Sequence, residues 1–224
     1  MKYLKGEIAP RMLRVNLFLA VVLYGSLILI SIAVFPGGYN LTEYTISSLG
    51  NPHVNTFPGW LFFSIAFWVL TIMLLPFFRF VHSKLKKYTP KFAQCFLISS
   101  IIVDIGLILL GFFPEFPPTI FFHMIATMMS FGGFFVAAIF SWFGLYFLGK
   151  GSEGARKTFV FASLIVMVTT FGGSLLMGCI SYLINQMGLL EGTILSNVFI
   201  WEWCLFFAVG LYIILLEIII SREK

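Results

Sequence analysis

The stretch YNLTEYTISSLGNPHVNTFP, Tyr39 to Pro58, is the longest polar segment in a chain that is otherwise nearly all hydrocarbon. It holds Glu43, Ser47, Ser48, Asn51, His53 and Asn55 and no lysine or arginine. On both sides the sequence turns apolar for about 20 residues, the length that crosses a bilayer as a helix. A polar segment between two spans either stays in water or folds back over the mouth of the bundle. Gly50-Asn51-Pro52 reads as a turn, with Gly free to take positive φ and Pro stiffening the residue before it. The expectation is a loop that folds back and forms the lid of a polar site.

Working outward, the 224 residues are 60% hydrophobic and only 10% charged, with a mean hydropathy of +1.02. Soluble globular domains lie far from these values. Six apolar runs reach spanning length: Val15–Phe35, Phe57–Phe78, Phe92–Phe113, Thr119–Leu148, Thr158–Ile184 and Ile194–Ile220. They take up the chain and leave no room for a soluble domain. The fold class is all-α, a polytopic membrane bundle of six transmembrane helices forming one domain over residues 1–224.

All 14 Lys and Arg fall on one side of that topology, before helix 1, between helices 2 and 3, between 4 and 5, and after helix 6. The opposite connections carry only Glu43, Glu115 and Glu191. The positive-inside rule then puts both termini in the cytoplasm, with the plasma (cytoplasmic) membrane as the expected location. The pI of 9.2 has this same origin, so it signals topology and attraction to anionic lipid, not nucleic acid. The first apolar run exceeds a signal-peptide core, and Ser31-Ile32-Ala33 is a poor cleavage pattern, so helix 1 is expected to stay. Cys95, Cys179 and Cys204 lie inside helices and imply no disulfide framework. Asn40-Leu41-Thr42 is a glycosylation sequon on the outer side.

Helix 4 carries His123, Thr127, Ser130, Ala137 and Ser141 as a small and polar stripe, and helix 5 carries Thr170, Ser174, Gly178, Ser181 and Asn185. Such stripes let helices approach closely in lipid. Gly132-Gly133 and Gly172-Gly173 recur, without an evident internal repeat. The short link Pro114-Glu115-Phe116-Pro117-Pro118 makes helices 3 and 4 antiparallel neighbours.

Ionisable groups inside the bilayer cost about 2.5–3.5 kcal/mol at a helix centre, so they pair or line polar cavities. Asp104 lies roughly 14 Å and Glu202 roughly 12 Å below the outer end at 1.5 Å per residue, with His123 above them. These three are the candidate catalytic residues. Ser47, Ser48, Asn51, His53 and Glu115 are the candidate ligand-binding residues. Glu217, near the cytoplasmic end, is expected to snorkel toward water. No H-x-x-x-H or H-E-x-x-H spacing supports a metal, no cofactor motif is present, and no G-x-S-x-G elbow supports a serine nucleophile.

Thr45-Ile46-Ser47-Ser48-Leu49-Gly50-Asn51-Pro52 resembles the first outer loop of the FRAG/DRAM/Sfk-like membrane proteins and of the related prokaryotic domain-of-unknown-function family 998. Gly111-Phe112-Phe113-Pro114 followed by His123 and Thr127, and Trp201-Glu202-Trp203 in the last helix, are similar to further elements of those families. The alanine of the helix 4 motif is displaced to Ala126, and an acidic residue many relatives carry after the loop serine is missing. The resemblance implies six helices with both termini inside and a tie to membrane-lipid handling. The expected function is an outer-leaflet polar pocket that binds or organises membrane lipid. The alternatives are an intramembrane lipid hydrolase using His123 with Asp104 or Glu202, and a scaffold for a membrane-protein partner or a second copy.

Overall fold

The computed structural model describes residues 8–189, 193 and 197–221. All the long elements are helices: α1 (Pro10–Ala33), α2 (Gly59–Leu85), α3 (Pro90–Phe112), α4 (Ile120–Lys150), α5 (Gly154–Gln186) and α6 (Val198–Ser221). No strand occurs among the described residues. Six helices are long and apolar enough to cross a membrane, so the chain is a multi-pass integral membrane protein. The expected start of the last span at Ile194, the acidic Glu191, and the basic residues Lys2, Lys5, Arg222 and Lys224 lie outside the described residues.

Most helices outrun their apolar runs, α2 by a full turn and more into Arg79 and Lys84. Helix is the cheapest state for backbone at a membrane boundary, since each N–H and C=O is satisfied within the segment. Pro76 sits inside α2, and a proline removes one rung of the ladder. Asn16 of α1 donates its side-chain N–H to the Met73 carbonyl at 2.7 Å, in the turn before that proline.

Consecutive helices pack against each other, from α1 on α2 through to α5 on α6, and α6 leans back on α2. Packing quality is uneven. In the most apolar window of α3, 56% of residues are buried, against 22% in α5. At the α3–α4 seam the backbones approach closely: a Cβ at Gly106 would fall 2.6 Å from the Ser130 backbone nitrogen and 2.9 Å from the Ala126 carbonyl.

The two helices with small and polar stripes share a device that the sequence reading missed. Both switch to a π turn in mid-course, at Met128–Gly132 and at Val168–Gly172. A π turn shifts the ladder to i→i+5 and loosens it locally. In each helix a hydroxyl answers by donating back to the carbonyl four residues earlier, Ser130 to Ala126 at 2.8 Å and Thr170 to Val166 at 2.7 Å. Residues 120–143 and 160–183 align without a gap: Phe121 with Phe161, Ile125 with Ile165, Phe131 with Phe171, Gly132 with Gly172, Gly133 with Gly173 and Ser141 with Ser181. The paired glycines close the π turn in each helix.

Glu217 does not snorkel. It is 4% exposed, and its Oε1 lies 3.7 Å from Nε of Arg14 on α1, bringing the first and last helices together at one end of the bundle. Ser141 and Tyr212 share a buried hydrogen bond of 2.9 Å between α4 and α6. The opposite end is closed by the 34–58 connection.

Candidate functional site

The polar connection is pinned from within. Ile46–Gly50 form a 3₁₀ turn whose Ile46 and Leu49 are buried. Thr45 caps it, its Oγ1 accepting from the Ser48 backbone N–H at 3.0 Å. Gly50 does not take positive φ, contrary to expectation. It is glycine because Phe63 of α2 occupies its Cβ position, 2.5 Å away. Asn51 starts the next turn by accepting from the His53 N–H at 2.9 Å, and its extended ψ of 114° is what a residue before proline requires.

Asn55 is the residue whose role sequence reasoning missed. It is fully buried and donates to the Leu49 carbonyl at 2.7 Å and to Ser31 Oγ at 3.0 Å. Ser31 in turn donates to the Gly59 carbonyl at 2.9 Å. One amide thus ties the 3₁₀ turn to α1 and, through Ser31, to the start of α2. The only sequence signal was its place between Asn51 and Pro58 in a segment that had to fold back.

The pinned loop lies over the start of α6. Tyr39 donates its hydroxyl to the Thr45 carbonyl at 2.7 Å and accepts from the Trp203 indole N–H at 3.2 Å. Burial pushes the Tyr39 phenol well above its usual range, so it remains a neutral donor. Asn197 donates to the Thr42 carbonyl at 3.0 Å. Beneath this roof, Ser47 donates to Glu202 Oε1 at 3.4 Å, and the backbone N–H groups of Ile46 and Ser47 also serve that carboxylate. The first N–H groups of a helical turn lack intrahelical partners and suit an anion.

Glu115, from the α3–α4 link, stands close enough for its charge to act on Glu202. Its Oε2 accepts from Thr45 Oγ1 at 2.9 Å, and Thr45 Oγ1 also meets Ser48 Oγ at 2.8 Å. Thr45, Ser47, Ser48, Glu115 and Glu202 therefore form one polar cluster, drawn from the first connection, the third connection and α6.

Glu202 also faces a cavity. An open space of about 550 Å³ lies between α4, α5 and α6, lined among others by Thr127, Phe131, Ser174, Gly178, Tyr182, Trp201 and Glu202. Among the described residues Glu202 is its sole carboxylate, and Thr127 Oγ1 has no hydrogen-bond partner. The cavity exists because α5 packs loosely: a Cβ at Gly178 would find nothing nearer than Trp201 Cβ at 3.9 Å.

The remaining candidates make other contacts. His123 is buried, and its Nδ1 meets the Phe113 carbonyl at 2.8 Å. A carbonyl only accepts, so Nδ1 carries the proton, and the ring staples the α3–α4 link. Asp104 is 7% exposed, with Oδ1 unpartnered among the described residues, and the charge that reaches it is that of Arg79 on α2. No hydrogen bond among the described residues joins His123, Asp104 and Glu202 to one another; the carboxylate whose charge acts on Glu202 is Glu115. His53 is exposed and rests on Phe116, ring centroids 5.4 Å apart. Among the described residues no three His, Cys, Asp or Glu side chains come together as a metal site would need.

The family described as a protein of unknown function (DUF998) matches residues 18–214. No curated protein and no solved structure matches the chain.

Proposed function

The chain belongs to the DUF998 family, and we propose that it binds a membrane amphiphile in the cavity between α4, α5 and α6. The observation that carries this reading is the shape of that space: apolar walls on three helices leading to one carboxylate under a folded loop. Ligand sites are largely apolar concavities with a few placed polar groups. A hydrocarbon chain would lie against Phe131, Leu175 and Leu205, and a polar end would reach Glu202. A tie to the FRAG/DRAM/Sfk-like proteins, and with it to lipid handling, rests on the short motifs alone. The hydrolase alternative gains no support from His123, whose bond goes to a backbone carbonyl.

Orientation belongs to the same proposal. With the basic ends of α2, α3, α4 and α5 toward the cytoplasm of a plasma membrane, the cavity opens in the outer leaflet. Cysteines at Ser83 and His53, both exposed, should label from opposite sides of sealed vesicles, whereas labelling of both from one side sinks the topology. Asn55 is unsuitable for this purpose because it is buried.

The binding reading is tested by filling the cavity. Native mass spectrometry of the purified protein should find retained phospholipid, and Gly178→Phe should lose it without a change in melting temperature. Wild-type protein that retains no lipid, and takes up none after delipidation, overturns the reading.

A further inference from the structure

Among the described residues, the carboxylate that lines the cavity is placed unlike the buried acids Glu217 and Asp104. Glu217 has Arg14 at 3.7 Å, and Asp104 lies within reach of the Arg79 charge. Glu202 has a second carboxylate instead, Glu115, and what supports it is a hydroxyl and two backbone N–H groups. Every described lysine and arginine belongs to the other end of the bundle, at positions 11, 14, 79, 84, 86, 87, 91, 150, 156 and 157. Two like charges in a poorly solvated site are unfavourable unless one carboxylate holds a proton or a cation sits between or beside them. The cavity side of Glu202 is the side the protein leaves to a ligand, and three aromatic residues, Phe131, Tyr182 and Trp201, line that space.

Resting on the binding reading above, we infer that the polar end of the bound amphiphile is a cation, an amine-bearing headgroup held at Glu202 with Glu115 behind it. An ammonium offers three donors and no acceptor, which suits a site whose cavity-facing acid accepts. Its hydrogen bonds to carboxylate are charge-assisted, and aromatic faces in the wall attract a cation through their quadrupoles. A phosphate or sulfate head without a cationic group would meet two carboxylates and no basic side chain.

The test compares single-chain amphiphiles of equal length against the full-length protein in a neutral maltoside detergent, by native mass spectrometry. Dodecylamine should bind at least about tenfold more tightly than dodecanol, the ratio expected of a charge-assisted contact, and dodecyl phosphate should bind more weakly than either. In Glu202→Gln the amine-to-alcohol ratio should fall toward one. Raising the salt should lower the same ratio in the wild-type protein, a readout that needs no variant. Equal binding of dodecylamine and dodecanol, or tighter binding of dodecyl phosphate, overturns the cation inference while leaving the amphiphile reading standing. Failure of all three to bind overturns the amphiphile reading itself. Ethylamine should not compete with dodecylamine at matched concentration; if it does, the site takes a soluble amine and not a lipid headgroup.

Discussion

Glu202 and Glu217 are the same residue on the same helix, roughly 22 Å apart at 1.5 Å per residue, and they are solvated in opposite ways. Glu217 is buried at the end where α1 begins and α6 finishes, with an arginine 3.7 Å away. Glu202 sits at the end capped by the Ile46–Gly50 turn, supported by a serine hydroxyl and backbone N–H groups, and it faces a cavity. An acid with its own countercharge has its electrostatics closed within the fold and acts as a clasp between helices. An acid held only by neutral dipoles, beside another acid, keeps its capacity for a partner from outside. The surroundings of an intramembrane acid therefore say more about its role than its depth does.

That contrast can be broken most directly at the clasp. Arg14→Met removes the guanidinium 3.7 Å from the buried Glu217 and should destabilise the protein by about 1–2 kcal/mol, less than for a fully buried pair because Arg14 is largely exposed. The double variant Arg14→Met/Glu217→Gln should recover most of that loss in thermal melts in detergent; an unshifted melt for Arg14→Met would show that the pair contributes nothing.

At the cavity end the expected stability effect is smaller. Glu202→Gln keeps an acceptor for Ser47 and for the turn N–H groups, so its cost should be about 1 kcal/mol or less, while ligand retention falls. A larger loss of stability with ligand retention intact would make Glu202 a structural clasp like Glu217, and the contrast between the two acids would collapse.

The smallest effect is expected midway along the helix. Tyr212→Phe removes the bond to Ser141 and should cost about 0.6 kcal/mol, the average for interhelical hydrogen bonds measured by double-mutant cycles in a membrane bundle. Its melt calibrates the other two, because it reports a neutral contact at neither end. A shift as large as that of Arg14→Met would mean that position along α6, not charge, decides what these residues contribute.

The six spans and the one-sided placement of Lys and Arg were legible in the chain, because hydropathy and charge are properties of short segments. The polarity of Tyr39–Pro58 likewise marked a segment that would fold back, and Ser47, Ser48 and Glu115 were singled out without their hydrogen-bond partners being known. What the chain concealed was which side of each helix meets which neighbour. In a soluble helix an apolar stripe marks the inward face; in lipid all faces are apolar, and helix contacts are chosen by fit and by hydrogen bonds. So Asp104 and Glu202, alike in depth, read as one cluster with His123 above them, although His123 bonds the Phe113 carbonyl and Glu202 bonds Ser47. The meeting of Ser47 with Glu202 joins residues 155 positions apart, and Asn55 is a pin only because Ser31 and Leu49 converge on it. Spanning length is paid for residue by residue along the chain and can be read there; the company a polar side chain keeps inside the bilayer depends on how helices of nearly uniform surface settle against each other, which only the tertiary structure decides.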